Sequence, residues 1–364
     1  MQKVYIYLEN GTFLEGCSFG ANKTAIGKLV YNNATFGYQE VITDPSNAGL
    51  FINFMAVEIG NSGTNKNDME SSKAYTSGVI VRNYHDAYSN YRAEMSLADF
   101  LKSENVMGIC DIDTRFLTKI ARDEGSMMMI ASTEISSKEE LAKLLKDAKK
   151  YDEINFIEDS STKDSYIHKS GAWDMDLNDF RKASMSDKKV VVYDFGAKKS
   201  FLNELVESGL EVEVIPFNTK AEDIIEKYKS NKIGGVVLSS GAGNPNLYKN
   251  EVENIRKLVS ANLPILAVGL GHYLLALANG AKIEKINSIK SGSHPIKGEK
   301  AVELYSLNTQ YAVKDFESFA NSTYTNVFTN NTVALKYKNN DILSSEFTPI
   351  SNSPIYKEFS SLVK

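Results

Sequence analysis

Chemically reactive side chains are scarce in this chain: its 364 residues include two cysteines and four histidines. Cys17 and Cys110 both lie in the first third. Neither forms a CxxC or neighbours a histidine cluster, so a structural thiol is the plain reading and a metal or redox centre has little to build on. His85, His168, His272 and His294 are dispersed, which leaves metal-assisted hydrolysis without a ligand set. No cysteine follows Cys110 and no histidine follows His294. An excess of positive charge is also missing. With 41 Lys and Arg against 46 Asp and Glu, the net charge of −5 argues against a partner recognised through a phosphate backbone. No apolar run reaches membrane-spanning length, and the opening MQKVYIYLENGTFLEG lacks the basic-then-apolar pattern of a secretory signal. The expected location is the cytoplasm.

What is present is material for two cores: the chain is long enough for two domains, and 42% of it is hydrophobic. Residues 1–150 hold short β-type runs such as KVYIYLENGT and GLFINFMAVEIGN, broken by Asn-Gly and Asp-Pro turn signals. Three helical patterns follow, in SLADFLKSENV with Ser96 as its cap, DIDTRFLTKIARDEG and SSKEELAKLLKDAKK. These predict an α+β domain. Residues 151–187 are polar and without sustained periodicity, which predicts a connecting segment. From Lys188, strand and helix patterns alternate: KVVVYDFG, AKKSFLNELVESG, LEVEVIPFN, KAEDIIEKYKSN, GGVVLSSG, NEVENIRKLVSA, LPILAVG, HYLLALANG. Such alternation implies an α/β domain, 188–364, with a mostly parallel sheet flanked by helices. The last eighty or so residues return to strand-like runs such as VALKYKN and DILSSEF.

Ligands of parallel sheets bind at the carboxyl ends of the strands. Two glycine-rich turns occupy such ends here. One is Ser239-Ser240-Gly241-Ala242-Gly243-Asn244-Pro245, whose backbone could face a carboxylate or oxyanion or be a tight turn only. The other is Val268-Gly269-Leu270-Gly271-His272, a strand-to-helix elbow of the kind that displays a nucleophile, with glycine where the nucleophile would stand.

At these residues the whole chain resembles the small, glutamine-hydrolysing subunit of carbamoyl-phosphate synthase, whose carboxyl half is a class I glutamine amidotransferase domain. The resemblance is carried by FGYQEVITDPS (36–46), Ile59-Gly60-Asn61, NDMES (67–71), GICDIDTR (108–115), YDFGAK (193–198), SSGAGNP, LGH and His294-Pro295. The family's elbow reads GICLGHQ, and its cysteine attacks the glutamine carboxamide. Here the cysteine position is Gly269. The family's histidine base and orienting glutamate come from a late FHPEAS stretch, which here reads Phe347-Thr348-Pro349-Ile350-Ser351-Asn352, so Thr348 and Ile350 stand in their places. No intact catalytic set is expected. Ser239, Ser240 and Ser345 have no evident base, and an unactivated hydroxyl is a poor nucleophile.

The resemblance also maps the family's glutamine contacts onto Ser46, Gly241, Gly243, Leu270 and Asn308, which keep their type. Tyr273 replaces the glutamine after GH. The QNHGF segment becomes Leu307-Asn308-Thr309-Gln310-Tyr311 and loses the glycine that lets backbone approach a ligand. Glutamine binding in this vestigial pocket is therefore expected to be impaired. The implied role is a catalytically silent small subunit that docks through its amino-terminal domain on a large synthetase subunit, with ATP and magnesium confined to that partner and free ammonia as nitrogen source. Two other readings stand beside it: a stand-alone binding module for an amino-acid-like ligand, and an amidohydrolase with an unrecognised nucleophile. Pyrimidine and arginine biosynthesis are the pathways the family serves.

Overall fold

The computed structural model describes residues 1–338 and 340–364, with side chains throughout except at 287–290 and 309. The chain divides into two compact units, Met1–Ile154 with Asn287–Gly292, and Asn155–Ile286 with Ser293–Lys364.

In the first unit, strict alternation along Gln2–Leu8 points Val4, Ile6 and Leu8 inward, where they are fully buried. This strand opens a closed seven-stranded barrel. Around the barrel it is followed by Phe13–Ser18, Met107–Cys110, Gly78–Ile80, Leu50–Phe54, Thr24–Asn32 and Met128–Ser132, which returns to the first. Leu29, Phe51, Ile80, Ile109 and Met129 complete the filling. Each such side chain contributes on the order of 1.5–3 kcal/mol by leaving water.

The helices of this unit include Leu97–Ser103, Thr114–Asp123 and Lys138–Asp147. Each begins at a capping side chain: Ser96, Asp113 and Ser137 accept the backbone N–H of Asp99, Phe116 and Glu140 at 3.1, 3.0 and 3.2 Å. The motif stretches FGYQEVITDPS and NDMES are hydrogen-bonded to each other. Asn65 N–H donates to Gln39 Oε1 at 3.0 Å, Glu70 N–H to Thr43 Oγ1 at 2.9 Å, and Ser71 Oγ to the Thr43 carbonyl at 2.6 Å.

Residues 151–187 are more structured than the expected connector. They hold the helical turn Ile157–Ser160 and three strands. Tyr166–His168 pairs antiparallel with Glu211–Pro216 at the edge of the main sheet. Ser170–Asp174 and Asp179–Lys182 form a hairpin, closed by Trp173 and Phe180 edge to face at 5.1 Å. Strands of 3, 5 and 4 residues are too short to leave a periodic signature in sequence.

The second unit is built on a ten-stranded sheet. Its centre is parallel, in the order Glu211–Pro216, Lys189–Asp194, Gly235–Leu238, Ile265–Val268, Ile342–Ser345. Thr332–Tyr337 and Ala320–Asn326 continue it antiparallel. Successive residues of the central strands serve opposite faces. Val191, Val236, Ile265 and Ala267 pack with helices Ala221–Lys229, Lys249–Ser260 and Leu270–Ala278 through Ile224, Leu258 and Leu274. Val190, Val192, Val237 and Leu266 pack with helices Lys199–Glu207 and Pro354–Leu362 through Leu205 and Phe359. A sheet so covered explains the unbroken apolar strands of the sequence.

Candidate functional site

Strand Ile265–Val268 turns into helix Leu270–Ala278 at Gly269, whose φ of 55° and ψ of −118° favour glycine. The bend is held by neighbours that the parallel register brings alongside: Gly269 N–H donates to the Ser345 carbonyl at 2.9 Å, and Gly271 N–H to the Ser239 carbonyl at 3.0 Å. A β-carbon on Gly269 would stand 2.9 Å from Ser240 Cβ, and one on Gly271 would stand 2.5 Å from the Leu238 carbonyl oxygen. Both glycines permit close backbone approach.

The serines of the adjoining turn are committed to the backbone. Ser239 Oγ accepts from Phe195 N–H at 2.9 Å and donates to the Ser240 carbonyl at 2.9 Å. Ser240 Oγ donates to the Gly196 carbonyl at 3.3 Å, and Ser345 Oγ to the Phe347 carbonyl at 2.7 Å. All three residues are buried. Gly241 has no room for a side chain, because its β-carbon would meet the Phe195 carbonyl at 2.2 Å and Leu270 Cδ2 at 3.0 Å. Gly243, at φ 102°, faces Tyr248, whose hydroxyl donates to the Ala242 carbonyl at 3.0 Å and is pushed up to about 12 by burial. Buried Asp194 collects the N–H groups of Gly196, Ala197 and Thr162 at 3.0, 2.8 and 2.7 Å. Burial raises its pKa and those backbone donors oppose the rise.

One turn into the helix, His272 is fully buried, with Nδ1 and Ser344 Oγ at 2.8 Å and Nε2 without a hydrogen-bond partner among the described residues. Burial pushes its pKa down to about 3, so the ring is neutral. Tyr273 follows, also buried. Its hydroxyl donates to the Tyr311 carbonyl at 3.3 Å and its ring meets the Tyr311 ring edge-on at 6.0 Å. Gln310 is buried and Asn308 half-buried, whereas the Thr309 side chain lies outside the described residues.

Thr348 is half-buried and comes three residues after Ser345, whose carbonyl receives the Gly269 N–H. Ile350 is 43% exposed. Ser46 belongs to the first unit, in the turn Pro45–Asn47, and its N–H donates to Asp44 Oδ1 at 2.8 Å.

Comparison with known proteins bears on both halves of the chain. Residues 6–131 match the model of the carbamoyl-phosphate synthase small chain, CPSase domain, and residues 191–346 that of class-I glutamine amidotransferase. The chain is 43% identical to the carbamoyl phosphate synthase small chain of Campylobacter jejuni, over 99% of its own length and 100% of the relative's. It is 42% identical to that of Helicobacter hepaticus, over 96% and 93%, and 40% identical to that of Helicobacter pylori, over 99% of each. The chain belongs to the carbamoyl-phosphate synthase small-chain family.

Strand, turn and helix form the elbow, with glycine at its tip. Among the described residues no three His, Cys, Asp or Glu side chains come together as metal ligands, and no helix is long and apolar enough to cross a membrane. Three supporting residues escaped the reading of the sequence. Asp194 carried a signal, since Asp-Phe-Gly is a local pattern in which a carboxylate caps the backbone two residues on. Tyr248 and Ser344 had none, because their partners, Ala242 and His272, are set by tertiary packing.

Proposed function

We propose that this small-chain family member does not hydrolyse glutamine and acts as a structural or regulatory partner of a carbamoyl-phosphate synthase large subunit that uses free ammonia. The observation that carries the reading is Gly269: the elbow's tip has no side chain, and Ser240 fills the space in which one would begin. Support comes from what surrounds it. Thr348 and Ile350 offer neither base nor carboxylate, and the nearby serine hydroxyls are bonded to backbone carbonyls. The only histidine on the elbow helix is neutral and hydrogen-bonded to Ser344. Tyr273 and Tyr311 pack together at positions that the family resemblance assigns to glutamine. In this reading ATP and magnesium are handled by the large subunit, and docking falls to the first unit, where Glu70 and Ser71 of NDMES are hydrogen-bonded to Thr43 of FGYQEVITDPS.

The test is reconstitution with the matching large subunit. Carbamoyl phosphate should form from ammonia, bicarbonate and ATP, and replacing ammonia by glutamine should abolish it. Glutamine-supported turnover of roughly one per second or more would overturn the reading. Failure of the two chains to associate at micromolar concentration would favour the stand-alone binding module.

A further inference from the structure

The two cysteines, remote in sequence, are direct partners across the barrel wall. Strands Phe13–Ser18 and Met107–Cys110 run antiparallel with Cys17 opposite Cys110 and Ser18 opposite Ile109. The ladder continues beyond the strand, with Phe19 N–H on the Gly108 carbonyl and Ala21 N–H on the Val106 carbonyl, both at 2.9 Å. By two-residue alternation Cys17 and Cys110 fall at a hydrogen-bonded pair, for which regular antiparallel geometry sets the Cα atoms about 5.5 Å apart, inside the roughly 4.4–6.8 Å range of disulfides.

Both thiols share the outer face of the barrel. Cys17 is opposite Lys3 on its other side, and Lys3 alternates with the inward Val4 and Ile6. Cys110 alternates with the inward Ile109. Cys17 is half-buried, Cys110 is buried with Met1 Sδ at 3.6 Å from its sulfur, and both are free thiols. Neither fills the barrel interior, so barrel packing does not account for them. The seam they straddle is also the shortest in the barrel, with two register pairs against six between Gln2–Leu8 and Phe13–Ser18.

We propose that Cys17 and Cys110 are a reversible oxidation site that closes into an intramolecular disulfide across this seam when the chain meets a low-molecular-weight disulfide. The Cys17 thiolate attacks one sulfur of the oxidant, the oxidant's S–S bond breaks, and half of it leaves as a thiolate. Cys110 gives its proton to solvent, and its thiolate displaces the second half from Cys17. Two protein thiols are oxidised by two electrons, and the oxidant is reduced to two thiols that take up the two protons. Burial first, then the neighbouring Cys17, pushes the Cys110 thiol up to about 11, which makes the second displacement the slower step.

The experiment treats the full chain with oxidised glutathione and maps its peptides by mass spectrometry without reduction. Free thiols should fall from two to none, with one peptide pair joining Cys17 to Cys110, no retained glutathione, and full reversal by dithiothreitol. Cys110→Ala should trap glutathione on Cys17 as a stable mixed disulfide. The proposal fails if the unsubstituted chain keeps glutathione on Cys17, if its links join different molecules only, or if both thiols stay free.

Discussion

Ser240 closes over Gly269. A β-carbon at 269 would lie 2.9 Å from Ser240 Cβ and 3.1 Å from its Cα, whereas non-bonded carbons rest at about 3.5–4.0 Å. Ser240 has little freedom to retreat, because its hydroxyl is bonded to the Gly196 carbonyl and the following Gly241 is pressed against the Phe195 carbonyl. The elbow is thus fitted to glycine twice, through a positive φ and through the space around it.

Gly269→Ala should therefore destabilise the chain by about 1–3 kcal/mol, the usual cost of a side chain in a disfavoured backbone region, with the steric contact adding to it. Urea unfolding followed by circular dichroism checks this through the midpoint. An unchanged midpoint would show that the Ser240 turn yields freely.

His272 makes stability depend on pH in a known direction. The folded chain holds the ring neutral, with a pKa pushed by burial from the ordinary 6.5 to about 3. The unfolded chain therefore binds more protons between those values. Its contribution is fully present above pH 6.5 and is lost as the pH falls towards 3, reaching on the order of several kcal/mol. Comparing urea midpoints at pH 7.5 and 5.5 should show a fall in the native chain and a smaller one in His272→Asn. Equal falls would assign the acid sensitivity to other groups.

The amidotransferase half was legible because its central strands carry short apolar runs, as in Val190–Val192, and alternate with helices such as the one that ends before Gly209. The bend at Gly269 was legible for the same reason, since a strand-to-helix elbow has a local pattern. The barrel was hidden, because its closure joins strands as distant as Gln2–Leu8 and Met128–Ser132. Pairing of Cys17 with Cys110 was hidden with it. Ser240 was read as a candidate without a base, and its hydrogen bond to Gly196 depends on a neighbouring strand end that sequence spacing does not reveal.

Glu40 gives a second pH dependence, of opposite sense. Burial first, then the nearby Asp68 and Glu70 carboxylates, push its pKa up to about 7, while Arg92 opposes the shift. The fold binds this proton more tightly than the unfolded chain, so the contribution is present below about 4.5 and is lost as the pH rises through 7. Glu40→Gln should stabilise the first unit at pH 8 by about 1–3 kcal/mol and leave it nearly unchanged at pH 5. Thermal unfolding at the two values checks the difference, and equal effects at both would exclude titration of Glu40 as the cause.

Repair of the elbow tests the account of it most severely. Gly269→Cys alone should release no ammonia from glutamine. Its thiol, with an ordinary pKa of about 8.5, would be only a few per cent ionised near neutrality, and Thr348 brings a hydroxyl, not a base, to that end of the sheet. Adding Thr348→His should help modestly, since Ile350 cannot orient an imidazole and Tyr273 still packs on Tyr311. Measurable hydrolysis should need Gly269→Cys, Thr348→His, Ile350→Glu and Tyr273→Gln together, because catalytic groups that act as a unit are strongly non-additive. Ser240→Gly should raise the activity of that quadruple variant further by clearing the 2.9 Å contact. Ammonia release and a trapped glutamyl thioester are the measurements. If Gly269→Cys alone equals the quadruple variant, a competent base already faces the elbow and the reading of a silent site is wrong.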